Sequence, residues 1–385
     1  MAHALLSPSS ASRWLACTAA PKLESKYPDK TSDAAEEGTV AHTLGELICR
    51  RNLKLITNAK YRSEFAKIET NKYYTKDMHK YCDDYAGLVM ERFTDALRRT
   101  EDAVIKLEHR LDLSAFVPEG FGTGDCIIIA DEWIEVIDLK YGKGVEVTAH
   151  ENKQMMLYGL AAFEEFSVLY DITKVRMSIH QPRMNNYSSY EIDAIELLKW
   201  GWETVRFKAQ EAYDGKGTYA PGDHCRFCKA KANCRALADQ NMQVLRHDFA
   251  EAQTLTPDEI SHVLEQMDAI RSWLTAVEEY ALGEAIEGKD WPGYKLVEGR
   301  SNRTITDTDK AAEILLQNGM TAEQVWTKKL NTITALEKEM GKAAFNNALS
   351  AYIAKPPGKP TLVPISDKRP ALGTAQSAIN DFSNQ

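Results

Sequence analysis

Apolar residues in the middle of the chain follow the two-residue repeat of β-strands. Residues 126–129 form an apolar run, residues 131–132 a polar turn, and residues 133–140 alternate between apolar and polar side chains. This pattern predicts a β-hairpin, because successive side chains of a strand point to opposite faces. The same alternation predicts a strand at residues 105–113 and another at residues 175–179.

Apolar residues at helical spacing lie on both sides of these strands. Helices are predicted at residues 11–16, 38–48, 78–100, 154–166 and 193–213. The second of them places His42 about one turn inside its opening, where a lone histidine is usually structural. The resulting order of helix, three strands, helix and strand is typical of a mixed α/β core.

The composition changes after about residue 240. Residues 256–259 have the pattern of a capped helix start, and the helix they open runs to about Gly288. A turn and short strand at residues 291–300 come next, and helical segments are predicted near residues 308–318, 321–328 and 334–352. Prolines then indicate an extended tail. The predicted regions are a domain at 1–240, a long helix or bundle at 245–290, a small α+β module at 291–354 and a tail at 355–385.

The composition indicates a protein with a sizeable core. Of its 385 residues, 44% are hydrophobic and 27% are charged, and no apolar run reaches the length of a membrane span. The first residues lack the charged and apolar regions of a signal peptide. We therefore expect a cytoplasmic protein without a membrane partner, whose cysteines are thiols or metal ligands rather than disulfides.

A basic segment interrupts a chain whose net charge is −9. Residues 50–80 contain nine lysines and arginines against three acidic residues, with four aromatic residues interleaved. Such a segment is either a groove that binds a nucleic-acid strand or a solvated helical face with its aromatic residues in the core. In the first interpretation, Lys72, Lys76 and Lys80 contact DNA.

The end of the predicted hairpin concentrates polar groups. Asp138 and Lys140 share one face of their strand with Leu139 behind them, and Asp125 begins the partner strand. Two carboxylates suit Mg²⁺ or Mn²⁺, and a lysine beside them can act on water or on a phosphate. Taken alone, this pattern is more often a solvated strand edge.

Three cysteines follow the predicted α/β core in the spacing of metal ligands. Cys225, Cys228 and Cys234 form a C-x2-C-x5-C loop, and Cys17 near the start of the chain is the best candidate for a fourth ligand. The spacing does not separate zinc from an iron–sulfur cluster. The other cysteines lie inside helix or strand patterns and are expected to be buried: Cys49, Cys82 and Cys126.

These motifs together resemble the RecB/AddB-type branch of the PD-(D/E)xK nucleases, and most closely the branch with a split iron–sulfur cluster, which includes the CRISPR-associated exonucleases. Much of the chain also resembles an uncharacterised phage-encoded family found near recombination genes. The similar elements, in chain order, are Glu37-Gly38-Thr39-x-x-His42, Gly122-x-x-Asp125, Asp138-x-Lys140, Gln154-x-x-x-Tyr158 and the four cysteines. Gly124 replaces the name-giving proline, and no helicase phosphate loop is present.

The resemblance implies a restriction-endonuclease-like mixed sheet with helices on both sides, an iron–sulfur staple and a mainly helical C-terminal region. It implies that His42, Asp125, Asp138 and the Leu139 carbonyl bind Mg²⁺ or Mn²⁺. It implies that Lys140 is catalytic, with Gln154 and Tyr158 facing the DNA, and that Cys17, Cys225, Cys228 and Cys234 hold a 4Fe–4S cluster.

The leading hypothesis is a metal-dependent deoxyribonuclease. The resemblance favours an exonuclease that acts on single-stranded or duplex ends in phage or prophage recombination, inside the bacterial host, with a strand-annealing protein or helicase as partner. The alternative is a non-catalytic DNA-binding or scaffold protein with a structural iron–sulfur or zinc site. The residues leave cleavage polarity and the choice between DNA and RNA open.

Overall fold

The computed structural model of the protein describes residues 4–28, 32–245, 257–299, 303–326, 330–354, 360–364, 369–370 and 372. The chain divides into two compact units, residues 1–272 and residues 273–385. The helices of the first unit are α1 (Ala11–Ala16), α2 (Ala20–Glu24), α3 (Asp33–Asn52), α4 (Asn58–Glu69), α5 (Lys76–Arg99), α6 (Lys153–Phe166), α7 (Ala194–Trp200), α8 (Arg206–Asp214) and α9 (Arg235–Leu245). Helix α10 (Pro257–Ile286) contains the division between the units, whereas the predicted boundaries near residues 240 and 290 remain predictions.

The first unit is built on a five-stranded mixed sheet. Its strands, in spatial order, are β1 (Val104–Asp112), β2 (Phe121–Ala130), β3 (Glu132–Leu139), β4 (Ile172–Gln181) and β5 (Asn186–Asp193). β3 and β4 are parallel and the other neighbours are antiparallel. Helix α6 makes the crossover that a parallel pair requires. The predicted hairpin is β2–β3, and the prediction of a mixed α/β core is confirmed.

Both faces of the sheet are buried, which explains the continuous apolar run in β2. One face, here called the α6 face, packs on α6 through Leu111, Ile127, Ile129, Ile134 and Val136. The opposite face, the α3/α5 face, packs on α3 and α5 through Leu107, Cys126, Ile128, Ile137 and Leu139. Side chains of neighbouring residues in β2 therefore enter different cores.

Two predicted elements differ in the structure, and one strand was not predicted. Helix α3 begins at Asp33, where the Ser32 hydroxyl accepts a hydrogen bond from the Ala35 N–H, so His42 lies in the third turn and not in the first. The predicted helix at 193–213 is interrupted by a π-turn at Gly201–Val205. Strand β5 was not predicted, because this edge strand alternates only between half-buried and exposed positions and lacks an apolar face.

The second unit contains two small antiparallel pairs and a cluster of helices. β6 (Tyr294–Glu298) pairs with β9 (Pro360–Pro364), and β7 (Thr304–Ile305) pairs with β8 (Ile353–Ala354). The helices are α11 (Thr308–Gln317), α12 (Ala322–Val325), α13 (Ile333–Met340) and α14 (Lys342–Leu349), and Leu315, Phe345 and Leu349 are among their buried residues.

Two predictions for this unit need correction. The predicted helix at 334–352 is two helices, because Gly341 adopts φ +86° between them. Part of the predicted tail is strand β9, and residues 355–359, 365–368, 371 and 373–385 lie outside the described residues. Across the described part of the chain, no helix combines the length and the apolar character that a membrane crossing requires.

Candidate metal centre and cysteine cavity

The candidate metal centre lies where the alternation of side chains along β1 and β2 is interrupted, so that each strand turns its apolar residues to the other face of the sheet. Leu107 enters the α3/α5 face, whereas Leu111, four residues later, enters the α6 face. Simple alternation would place both on one side. Between them Glu108 adopts φ +47°, a left-handed conformation that costs a residue other than glycine about 1–3 kcal/mol. Leu107 pairs with Cys126 and His109 with Gly124, so Glu108 lies opposite Asp125 on β2.

His42, Glu108 and Asp125 form a group with the geometry of a metal site. One ligand atom from each residue lies within 4.8 Å of those of the other two. His42 Nδ1 is 3.1 Å from Asp125 Oδ2, and all three side chains are partly buried. His42 and Asp125 were predicted from the sequence, but Glu108 was not. No motif marked Glu108 in the sequence, because its position opposite Asp125 depends on the register of β1 against β2.

The electrostatics of this group show an excess of negative charge. Burial opposes protonation of His42, but the adjacent Asp125 carboxylate outweighs it and raises the pKa of His42 to about 9. Burial, with the nearby Asp125 charge, raises the pKa of Glu108 to about 7. The Asp125 carboxylate therefore stabilises a positive charge at this position.

A hydrogen-bonded network around Lys140 lies beside this group. Lys140 Nζ is 2.8 Å from Asp138 Oδ2 and donates to Gln154 Oε1 at 3.1 Å. Gln154 Nε2 donates to Asp138 Oδ1 at 3.4 Å and to the Tyr158 hydroxyl at 3.3 Å. Asn152 caps α6 by accepting from the N–H groups of Gln154 and Met155. The network brings together the four residues that the D-x-K and Q-x-x-x-Y motifs predicted.

The two groups are joined through the backbone of β3. The Leu139 N–H donates to Asp125 Oδ2 at 2.8 Å, which fixes the carboxylate that also contacts His42. Asp138 is almost fully buried and lies against Lys140 instead of joining the His42 group. Metal ligation by Asp138 and by the Leu139 carbonyl remains a prediction.

Gly122 lets the Tyr158 ring reach this position. A Cβ added to Gly122 would lie 2.7 Å from Tyr158 Cε1 and 2.8 Å from Pro8 Cγ. We expect Gly122→Ala to displace the ring and to lower the free energy of unfolding by about 1–3 kcal/mol, as overpacking does, in a urea titration. Gly87→Ala is the control, because no atom lies within 4 Å of its added Cβ in the middle of α5. Equal stability of the two variants would contradict this packing.

The basic segment at residues 50–80 comprises the end of α3, all of α4, the start of α5 and the loops between them. Ion pairs join Arg50 to Glu46, Lys60 and Lys67 to Glu64, and Lys72 to Glu36. Tyr61 and Phe65 stack with ring centroids 5.9 Å apart and pack against the core of the α3/α5 face with Tyr74. These contacts favour the solvated-face interpretation for α4. Lys72, Lys76 and Lys80 are exposed, and their contact with DNA remains a prediction.

The four cysteines of the predicted split site line one cavity. Cys17, at the end of α1, lies with the three loop cysteines around a pocket that Arg13 and His224 also line. Burial raises the pKa of the Cys228 thiol to about 12, with Glu24 contributing. The other three cysteines are fully buried in the core, as predicted. The chain thus places the predicted ligands together, although they are about 210 residues apart in the sequence.

Direct contacts also hold the start of the chain against the cysteine loop. A Cβ on Gly217 would lie 2.2 Å from the carbonyl carbon of Thr18, so the two backbones touch. The Ala19 N–H donates to the Thr218 carbonyl at 3.2 Å. The Glu24 carboxylate accepts from the Lys229 N–H at 2.8 Å. These contacts hold residues 18–24 against residues 217–229, beside the cavity.

Comparison with known proteins gives a family but no activity. Among solved structures, the crystal structure of SSO0001 aligns with 57% of this chain and with 95% of its own length, at 17% sequence identity and a TM-score of 0.23. A similarity at this TM-score carries no argument about function. Residues 3–370 match the model of the DUF2800 family, which is described as "protein of unknown function". The match covers nearly the whole chain, so the protein belongs to the DUF2800 family.

Proposed function

We propose that this protein is a metal-dependent DNA nuclease. The observation that carries the proposal is that the His42–Glu108–Asp125 group lies beside the Lys140 network. The two are linked because Leu139, which precedes Lys140 in β3, donates its N–H to the Asp125 carboxylate. Hydrolysis of a phosphodiester needs an activated water and a positive charge near the phosphate. A divalent-ion site beside a partly buried lysine offers both.

The residues present fit a hard divalent cation. Two carboxylates and one imidazole suit Mn²⁺ well and Mg²⁺ acceptably. His42, Glu108 and Asp125 would hold the ion, and the family resemblance adds Asp138 and the Leu139 carbonyl. When bound, such an ion supplies a Lewis acid and lowers the pKa of coordinated water.

The side chains of this chain would act on the substrate as follows. Lys140 presents an ammonium group where negative charge develops on the phosphate, held by Asp138 and Gln154. Gln154 and Tyr158 lie on the same face of α6 and position the strand. The proposal includes a restriction-endonuclease-like core and a 4Fe–4S cluster, or alternatively zinc, in the cysteine cavity. It also includes a phage or prophage setting, where the protein processes DNA ends in the host cytoplasm with a recombination protein as partner.

Digestion of end-labelled DNA tests this function. Purified protein should release nucleotides from single-stranded or duplex DNA when Mg²⁺ or Mn²⁺ is supplied, and EDTA should stop the release. Products that shorten progressively from one end would identify an exonuclease. DNA binding without any cleavage under these conditions would contradict the proposal and would favour the alternative of a non-catalytic scaffold.

Glu108 is expected to be a metal ligand. Glu108→Gln keeps the shape of the side chain and removes its charge, so the affinity for Mn²⁺ should fall by at least ~10-fold, the minimum loss expected near a metal centre. Isothermal titration with Mn²⁺ measures it. Glu91→Gln is the control, because Glu91 is exposed on α5. An unchanged Mn²⁺ affinity in Glu108→Gln would remove this residue from the site.

A further inference from the structure

A surface depression lies at the end of the β1–β2 pair, on the same two strands as the metal centre. It has a volume of about 380 Å³ and is lined by Arg110, Asp112, Ser114, Glu119, Gly120 and Phe121. The Arg110 guanidinium lies over the Phe121 ring, 3.9 Å from its centroid. None of these residues belongs to the candidate metal centre or to the Lys140 network.

The strand register sets the distance between this depression and the metal centre. Arg110 pairs with Thr123, two residues along the strands from the positions of Glu108 and Asp125. Phe121 is four residues from Asp125, or about 13 Å along β2. Leu111 and Gly122 contact the α6 side, so alternation turns Arg110, Thr123 and Phe121 to the opposite side. That is the side from which α3 presents His42.

This surface is exposed to solvent, and its cation has no ion-pair partner in the described part of the chain. Arg110 and Thr123 are exposed, and Phe121 is half-buried. Among the described residues, no carboxylate lies within ion-pair distance of Arg110, although its charge helps to lower the pKa of nearby Asp112. Its guanidinium packs on the Phe121 ring. By contrast, Lys72 of the basic segment is paired with Glu36. A planar cation over an aromatic ring is a surface on which nucleobases stack.

The neighbouring acids distinguish a base from a phosphate as the ligand. The Asp112 carboxylate accepts a hydrogen bond from the Ser114 N–H at 2.8 Å, and this bond lowers the pKa of Asp112. Glu119 also lines the depression and forms a hydrogen bond with the Tyr213 hydroxyl. Two carboxylates repel a phosphate, whereas they can accept hydrogen bonds from the amino groups of a base.

We propose that Arg110 and Phe121 form a base-stacking subsite for a single-stranded part of the nucleic-acid substrate, about 13 Å from the metal centre along β2. The proposal rests on the proposed nuclease function and adds to it the form of the substrate. A base must leave the duplex to stack here, so the strand enters the active site single-stranded, either as such or frayed from an end.

Binding of fluorescein-labelled single-stranded oligonucleotides in EDTA tests the subsite. Phe121→Ala should weaken binding by about 10-fold, the contribution of one stacked base, with an unchanged dependence on salt. Phe121→Leu keeps the apolar bulk and should lose as much affinity, which separates stacking from folding. Controls are Phe207→Ala, an exposed aromatic on α8, and Lys174→Ala, an exposed cation on β4.

A scan with single abasic sites locates the stacked base. In the wild type, an abasic site at one position should weaken binding by about as much as Phe121→Ala does. The Phe121→Ala variant should bind that abasic oligonucleotide as tightly as it binds the intact one. Equal abasic penalties in both proteins at every position would overturn the subsite. If the wild type cleaves DNA and Phe121→Ala binds as tightly as wild type, the subsite fails while the nuclease function stands. If the wild type neither binds nor cleaves, the function itself fails.

Discussion

Replacing Lys140 by methionine should lower the rate of DNA cleavage by about 10²–10³-fold, the usual cost of removing one group that stabilises developing charge. Affinity for single-stranded DNA in EDTA should stay within about threefold, because the ammonium group acts mainly in the transition state. The structure supports this role, since Lys140 is anchored by Asp138 and Gln154 beside the candidate metal ligands. Single-turnover cleavage and fluorescence anisotropy measure the two quantities.

Two further variants separate chemistry from folding. Lys140→Met leaves the almost fully buried Asp138 without its cation, and an unpaired buried charge destabilises a protein by about 3–5 kcal/mol. The double variant with Asp138→Asn should recover stability but not activity. Lys143→Met, three residues along and exposed, should cleave at the wild-type rate. Full activity in Lys140→Met would show that Lys140 does not take part in cleavage.

Replacing Cys228 by serine should remove the metal from the cysteine cavity and lower the free energy of unfolding by about 4 kcal/mol or more, as loss of a structural metal site does. The four cysteines line one cavity, and the start of the chain forms one of its walls. Anaerobically purified wild type should be brown and contain iron if the group is a 4Fe–4S cluster. Metal analysis and urea titration give both results.

The matched control for this experiment lies in the same loop. Ala232→Ser adds a hydroxyl between Cys228 and Cys234 without changing a thiol, and it should keep the metal. Residues 4–28 should remain partly docked in Cys228→Ser, because Ala19 and Glu24 hold them by hydrogen bonds to the opposite segment. If the wild-type protein is colourless and contains one zinc ion, the cavity is a zinc site and not an iron–sulfur site. Equal metal content in wild type and Cys228→Ser would contradict the cysteine site.

Sequence patterns predicted the interior of the fold well and its edges poorly. The hairpin β2–β3 and helix α6 are buried, so their apolar periodicity is strong. Strand β5 is an edge strand with little apolar content, and the break in the helix at Gly201 involves only a change in hydrogen bonding. Neither leaves a clear hydrophobic signal. The start of α3 was misplaced because its first turns are exposed and polar.

The residues of the candidate site could also be predicted only in part from the sequence. The motifs singled out Lys140, Gln154 and Tyr158, and one strand and one helix hold these side chains within hydrogen-bonding distance of one another. Their roles stay predictions. Glu108 escaped detection because its contribution depends on a left-handed backbone conformation and on the register of β1 against β2. Both are properties of tertiary structure that a single sequence does not display.

The most direct test of metal-dependent cleavage compares wild type with Asp125→Asn, purified in parallel. Asp125 contacts His42 and accepts the Leu139 N–H, so the amide keeps the shape of the site and removes its central negative charge. The measurement is nucleotide release from 5′- and 3′-labelled single-stranded DNA across a titration of Mn²⁺. We predict release by the wild type that rises with Mn²⁺ and stops with EDTA, and none by Asp125→Asn. Equal release by the two proteins, or none by the wild type at any Mn²⁺ concentration, would contradict the assignment of this site as a nuclease centre.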